Sequence, residues 1–171
     1  MRWLLIVLVL GSLSPALFAQ NPDTFSVPTD KQTIKAYSRQ LRDQGLLDVE
    51  LTDAEVEVIS KYPDRAQRVA EISLDATIRA KQLYKDDRTI PEDVYRHIFW
   101  SYWLTKEYGP EFAELVTDAH EIGDTHDTPG ESLKDMLNNK LGRDYALRGY
   151  SEEEVIERIK TDPDVKRKPL D

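Results

Sequence analysis

Apolar positions in this chain recur three and four residues apart, and no stretch alternates with period two over the length of a strand. Ile34, Tyr37 and Leu41 stand at helical spacing in a charged background, which predicts a first helix over residues 31–43 closed by QGLLD. LTDAEVEVISKYP predicts a second, with Thr52 as N-cap, Glu55 completing a capping box, and Pro63 interrupting the run. Residues 66–83 place Val69, Ile72, Leu74, Ala76, Ile78 and Leu83 along one broad apolar stripe. After DDRTIPED a helix is expected over residues 91–108, with proline in its first turn. YGPE ends that helix and opens another running to about residue 122, because Gly109 can close a helix and Pro110 can start one. Beyond the polar loop GDTHDTPGES, Ser132 with Asp135 reads as a cap pair for a helix reaching about residue 147. Ser151 and Glu154 form a capping box for a last helix, and residues 161–171 read as a flexible tail. The pattern therefore predicts an all-α fold: a single compact multi-helix domain over residues 31–160 with a central helical hairpin at about 91–122.

The N-terminal run MRWLLIVLVLGSLSPALFAQ changes the expected compartment. It has one positive charge, an apolar stretch broken by Gly11 and Pro15, and a small Ala19, the make-up of a signal peptide over residues 1–19. Its apolar run is shorter than the roughly 20 residues that cross a bilayer, so no membrane span is expected after cleavage. A flexible lead over residues 20–30 follows, and the protein is expected to be exported, periplasmic or secreted. The sequence has no cysteine, so stability has to come from packing rather than disulfides. A formal net charge of −9 disfavours nucleic acid and anionic lipid as partners. The expected partner is a small or envelope-derived substrate, and oligomeric state is left open.

Candidate chemistry gathers in the hairpin and the helix after it. His97 lies 12 residues before Gly109 and His120 lies 11 residues after it. At about 1.5 Å rise per residue the two stand at the same height, roughly 17 Å from the turn, and can face each other. Asp93, one turn before His97, can orient its ring, and Arg96 and Trp100 flank it. His97, His120 and Asp93 are thus candidate catalytic residues. In the next predicted helix Asp135, Asn138, Asn139 and Gly142 form one stripe, while Leu133, Leu137, Leu141 and Tyr145 form another. Adjacent asparagines weaken a helix without adding charge, so the polar stripe is expected to pack against something polar. Arg96, Trp100, Glu121, Asp135, Asn138, Asn139 and Arg143 are the candidate substrate-binding residues.

The same residues admit a structural reading, in which they form a buried network that fixes helix register. Glu121 reads more readily as a partner for Arg96 or Arg143 than as a metal ligand, since its side chain diverges from that of His120. Trp100 and Trp103 read mainly as core. His126, with Asp124 and Asp127, lies in a loop able to bind a cation weakly. There is no H-E-x-x-H helix and no cysteine ligand; His97 and His120 with Asp135 would make a metal site that no motif supports, so metal and cofactor remain unassigned. No phosphate loop and no G-x-S-x-G elbow is present.

The series D-x-x-R-H-x-x-W (Asp93, Arg96, His97, Trp100), Gly109, H-E (His120, Glu121) and D-x-x-N-N-x-x-G-R (Asp135, Asn138, Asn139, Gly142, Arg143) resembles an uncharacterised bacterial domain family over roughly residues 66–160. That family is found in small secreted proteins and at the C-terminal ends of Rhs or YD-repeat polymorphic toxins. The resemblance implies an all-α fold and a shared polar site, with no established reaction. It also implies a histidine directly before the two asparagines, where this chain has Leu137. The leading expectation is an exported hydrolytic domain; the rival is a non-catalytic binding or structural module.

Overall fold

The computed structural model describes residues 28–43, 50–122 and 127–170. The expected signal peptide, nearly all of the flexible lead and the loop positions Asp124 and His126 lie outside these. Seven helices are described: α1 (Lys31–Asp43), α2 (Asp53–Lys61), α3 (Pro63–Asp86), α4 (Glu92–Tyr108), α5 (Pro110–Glu121), α6 (Pro129–Leu147) and α7 (Glu152–Thr161). No strand occurs among the described residues, and none of their helices is long and apolar enough to cross a membrane. The chain is all-α, and its contacts group into two compact units, one up to Leu74 and one from Asp75 onward.

In the first unit α1 packs on α2. Thr52 and Glu55 make the expected capping box, Glu55 accepting from the Thr52 amide at 2.7 Å and Thr52 from the Glu55 amide at 3.1 Å. Ile34, Leu51, Val56, Ile59 and Val69 are buried. Ser38, outside the apolar pattern, is also buried, because its hydroxyl accepts from the Leu51 amide at 2.7 Å.

In the second unit α4 is the central element, packed against both α5 and α6. Val94, Tyr95, Ile98, Phe99, Trp100, Tyr102 and Leu104 are all buried, so this helix hides apolar side chains around most of its circumference. The α4–α5 hairpin turns at Gly109 as expected, with φ +88°, a backbone conformation that favours glycine. Gly142 makes the α4–α6 contact close: a side-chain carbon there would collide with the Ile98 carbonyl oxygen and lie 3.1 Å from Ser101 Cβ.

Two boundaries differ from the pattern. Helix α6 starts at Pro129, capped by Thr128 and Glu131 in a full capping box, rather than at Ser132 with Asp135. Pro129 and Gly130 look like loop residues, but proline fits a first turn because its missing donor is not needed there. Removing the cap by Thr128→Ala should cost about 1 kcal/mol, read as a lower urea midpoint. The residues expected to form a flexible tail are instead tied down. Asn138 Nδ2 donates to the Lys166 carbonyl at 2.9 Å, and its Oδ1 accepts from the Lys166 amide at 3.0 Å. The Leu170 amide donates to the Gly130 carbonyl at 3.1 Å, and Arg167 donates to the Ile159 and Lys160 carbonyls that end α7.

Helix α6 carries its polarity the reverse way round. Lys134, Asp135, Asn138, Asn139 and Arg143 are buried, whereas Leu133, Met136 and Leu147 are 47%, 38% and 63% exposed. Leu137, in the position where the resemblance implies histidine, is half-buried.

Candidate functional site

Three helices contribute to one buried centre. From α4 comes His97, from α5 Glu121, and from α6 Asp135 and Asn139; these residues are 1%, 6%, 4% and 0% exposed. Helical spacing brings Asp135 and Asn139 to the same face, and the Gly142 contact lets that face reach α4. His97 and His120 meet as expected, with ring centroids 6.4 Å apart, and His120 also sets its ring edge-on to Trp100 at 5.2 Å. Arg96 and His120 are partly exposed and border the buried set.

The two ring nitrogens of His97 face different carboxylates. Nδ1 lies 3.6 Å from Glu121 Oε1, and Nε2 lies 3.4 Å from Asp135 Oδ2. Arg96 places a guanidinium nitrogen 2.7 Å from Nε2. A guanidinium only donates, so Nε2 accepts and the proton of the neutral ring resides on Nδ1. Burial holds the His97 pKa well below its ordinary value, with the charges of Arg96, His120 and Lys134 acting in the same direction. The ring is therefore neutral near pH 7. Burial also raises Asp135 to about 6, outweighing the opposing charge of Lys134. Burial alone would lower Lys134, but its pairs with Asp93 and Asp135 prevail and its pKa is raised.

Several polar atoms in this centre are buried without a hydrogen-bond partner: His97 Nδ1, Trp100 Nε1, Ser101 Oγ, Asp135 Oδ1 and Asn139 Oδ1. Asp135 Oδ1 does lie 3.3 Å from Lys134 Nζ, as an ion pair without hydrogen-bond alignment. Asn139 Nδ2 reaches Glu121 Oε1 only at 3.5 Å. One ligand atom each from His97, Glu121 and Asp135 lie within 4.8 Å of one another.

Some expected roles are redistributed. Asp93 does not orient His97; it forms an ion pair with Lys134 across α4 and α6, and the carboxylates beside the ring are Glu121 and Asp135. A carboxylate one turn from a histidine is only one of its neighbours, and here a buried lysine offers Asp93 a stronger partner. Glu121 faces His97 and Asn139 rather than Arg143, whose guanidinium instead joins α5 through Glu114 at 3.0 Å and Thr117 at 3.3 Å. Asn138 serves the C-terminal segment, although its neighbour Asn139 belongs to the centre. Trp100 is core with one edge on the centre, while Trp103 donates to Glu152 at 3.0 Å. Lys134 is the residue that pattern reading misses, although it stands one turn before Asn138 on the polar stripe.

The model of a family described as a domain of unknown function, DUF6973, matches residues 56–165. The chain belongs to the DUF6973 family. Its match runs from within α2 to Val165 and contains every residue of the centre, together with the Asn138 contact to Lys166 on one of its sides. No curated protein matches the chain, and no solved structure does. For this DUF6973 member the geometry of the centre is therefore the basis for a functional reading.

Proposed function

We propose that this chain is an exported hydrolytic domain acting on a cell-envelope or extracellular substrate, with His97, Glu121, Asp135 and Asn139 as its centre. Arg96 and His120, at the border, are the groups a substrate meets first. One observation carries this reading: buried atoms of His97, Asp135 and Asn139 that lack a well-aligned hydrogen bond belong to the same meeting point of α4, α5 and α6. A network kept for stability alone pairs its buried polar atoms, because each orphan costs about 1 to 3 kcal/mol. Polar atoms left over at one point favour a bound group that completes them. The N-terminal segment supports export through its charge and apolar pattern.

The second reading, a structural network, draws on Asn138 and Arg143, whose groups are engaged with neighbouring segments. His97→Gln and Asn139→Leu separate the two, since both keep side-chain volume. Loss of the phenotype that the protein confers on its host or neighbouring cells, with urea stability changed by less than about 1 kcal/mol, is the result expected of a functional centre. A stability loss that parallels the lost phenotype would assign the centre to folding.

A further inference from the structure

We infer that the centre binds a divalent transition-metal ion of the zinc class, held by one imidazole nitrogen of His97 and the carboxylates of Glu121 and Asp135, and that Arg96 competes with this ion. The inference rests on the proposed ligand-binding role of the same centre and names its ligand. An imidazole with two carboxylates is a nitrogen and oxygen donor set suited to zinc and its neighbours, and no thiolate is available to favour softer ions. Bonds of about 2.0 to 2.2 Å hold tetrahedral ligands roughly 3.3 to 3.6 Å apart. Nε2 stands 3.4 Å from Asp135 and Nδ1 stands 3.6 Å from Glu121, so either nitrogen has one carboxylate at tetrahedral spacing, and one ligand atom from each of the three residues lies within 4.8 Å of the others. Bringing the widest separation to tetrahedral spacing takes about 1.3 Å, a carboxylate rotation rather than a backbone shift. The Asn139 amide oxygen, buried in the same centre without a well-aligned hydrogen bond, offers a further oxygen donor.

The histidine is prepared for this use. Each ring nitrogen already has a carboxylate oxygen beside it. A neutral imidazole has only one in-plane lone pair, and Arg96 now donates to it at Nε2. An ion at Nε2 displaces the guanidinium directly. An ion at Nδ1 moves the ring proton to Nε2 and turns that acceptor into a donor, which also ends the Arg96 contact. Arg96 is partly exposed and can swing outward, taking its positive charge away from the incoming cation.

Titration of the untagged, chelator-stripped full chain with Zn²⁺, and with Co²⁺ followed by its visible absorption, tests this. Saturation at one equivalent is expected, with the intensified absorption of a low-symmetry cobalt site. Asp135→Asn should bind at least about tenfold more weakly. Arg96→Ala should bind more tightly than wild type, an outcome that misfolding cannot produce. Absence of saturable binding in both wild type and Arg96→Ala, or equal affinity in Asp135→Asn, overturns the metal site; weaker binding by Arg96→Ala overturns the competition. If no metal binds while His97→Gln still removes the phenotype at unchanged urea stability, the functional centre stands and the metal is wrong. If the His97→Gln phenotype loss follows a stability loss, the reading beneath it fails.

Discussion

Gly142→Ala is expected to lower the stability of the second unit by about 2 kcal/mol or more. Two effects oppose each other. Alanine is the better helix former, by about 1 kcal/mol, at a position inside α6. The added carbon, however, meets the Ile98 carbonyl oxygen, which is backbone within α4 and cannot turn aside as a side-chain end would. Overpacking of this kind costs about 3 kcal/mol, so the steric term wins. Relief comes only by moving α6 off α4, which also draws Asp135 and Asn139 away from His97. Urea denaturation of Gly142→Ala beside wild type measures the first effect, and metal titration of the folded fraction measures the second. A midpoint equal to or above that of wild type would mean that the α4–α6 contact is looser than described.

Asn138→Ala is expected to free the C-terminal segment and to cost about 2 kcal/mol, within the range for stranding buried hydrogen-bonding groups. The amide of Asn138 holds both the N–H and the carbonyl of Lys166. Without it, the remaining ties include the Leu170 to Gly130 bond and the Arg167 contacts at the end of α7. Limited trypsin digestion reads this directly, because the segment carries Lys166 and Arg167. Rapid cleavage after those residues in the variant, against resistance in wild type, is the expected outcome. Equal cleavage in both would show that Asn138 does not retain the segment.

The helices were legible because their signals are local. Gly109 with Pro110, the Thr52–Glu55 and Ser151–Glu154 capping boxes and the spacing of apolar residues act within a turn or two, and each appears in the fold. The meeting of His97 and His120 followed from the rise of a helix and the position of one turn. The burial of Asn139 was legible because an amide stripe is a poor surface. Pairings between helices were harder to read. Whether Asp93 serves His97 or Lys134, and whether Asn138 serves the centre or Lys166, depends on rotations of α6 that periodicity leaves free. Thr128 was hidden behind Pro129 and Gly130, two residues that signal a loop as readily as a helix start. The anchoring of the tail is not legible because it rests on side chains of other segments such as Asn138, and the tail's own composition is that of a solvated segment.

The depth of His97 also sets a clock on anything that binds there. With the ring 1% exposed, no ligand reaches it by simple collision with the surface. For the ligand proposed above, entry requires the groups around the ring to open first. Arrival is then a sequence of opening followed by capture, and at high ligand concentration its rate levels off at the opening rate instead of rising in proportion. Departure obeys the same gate, so an occupant leaves slowly even when its intrinsic affinity is modest. Under the proposed ligand-binding role, such a centre keeps what it has taken up rather than exchanging it rapidly with the surroundings.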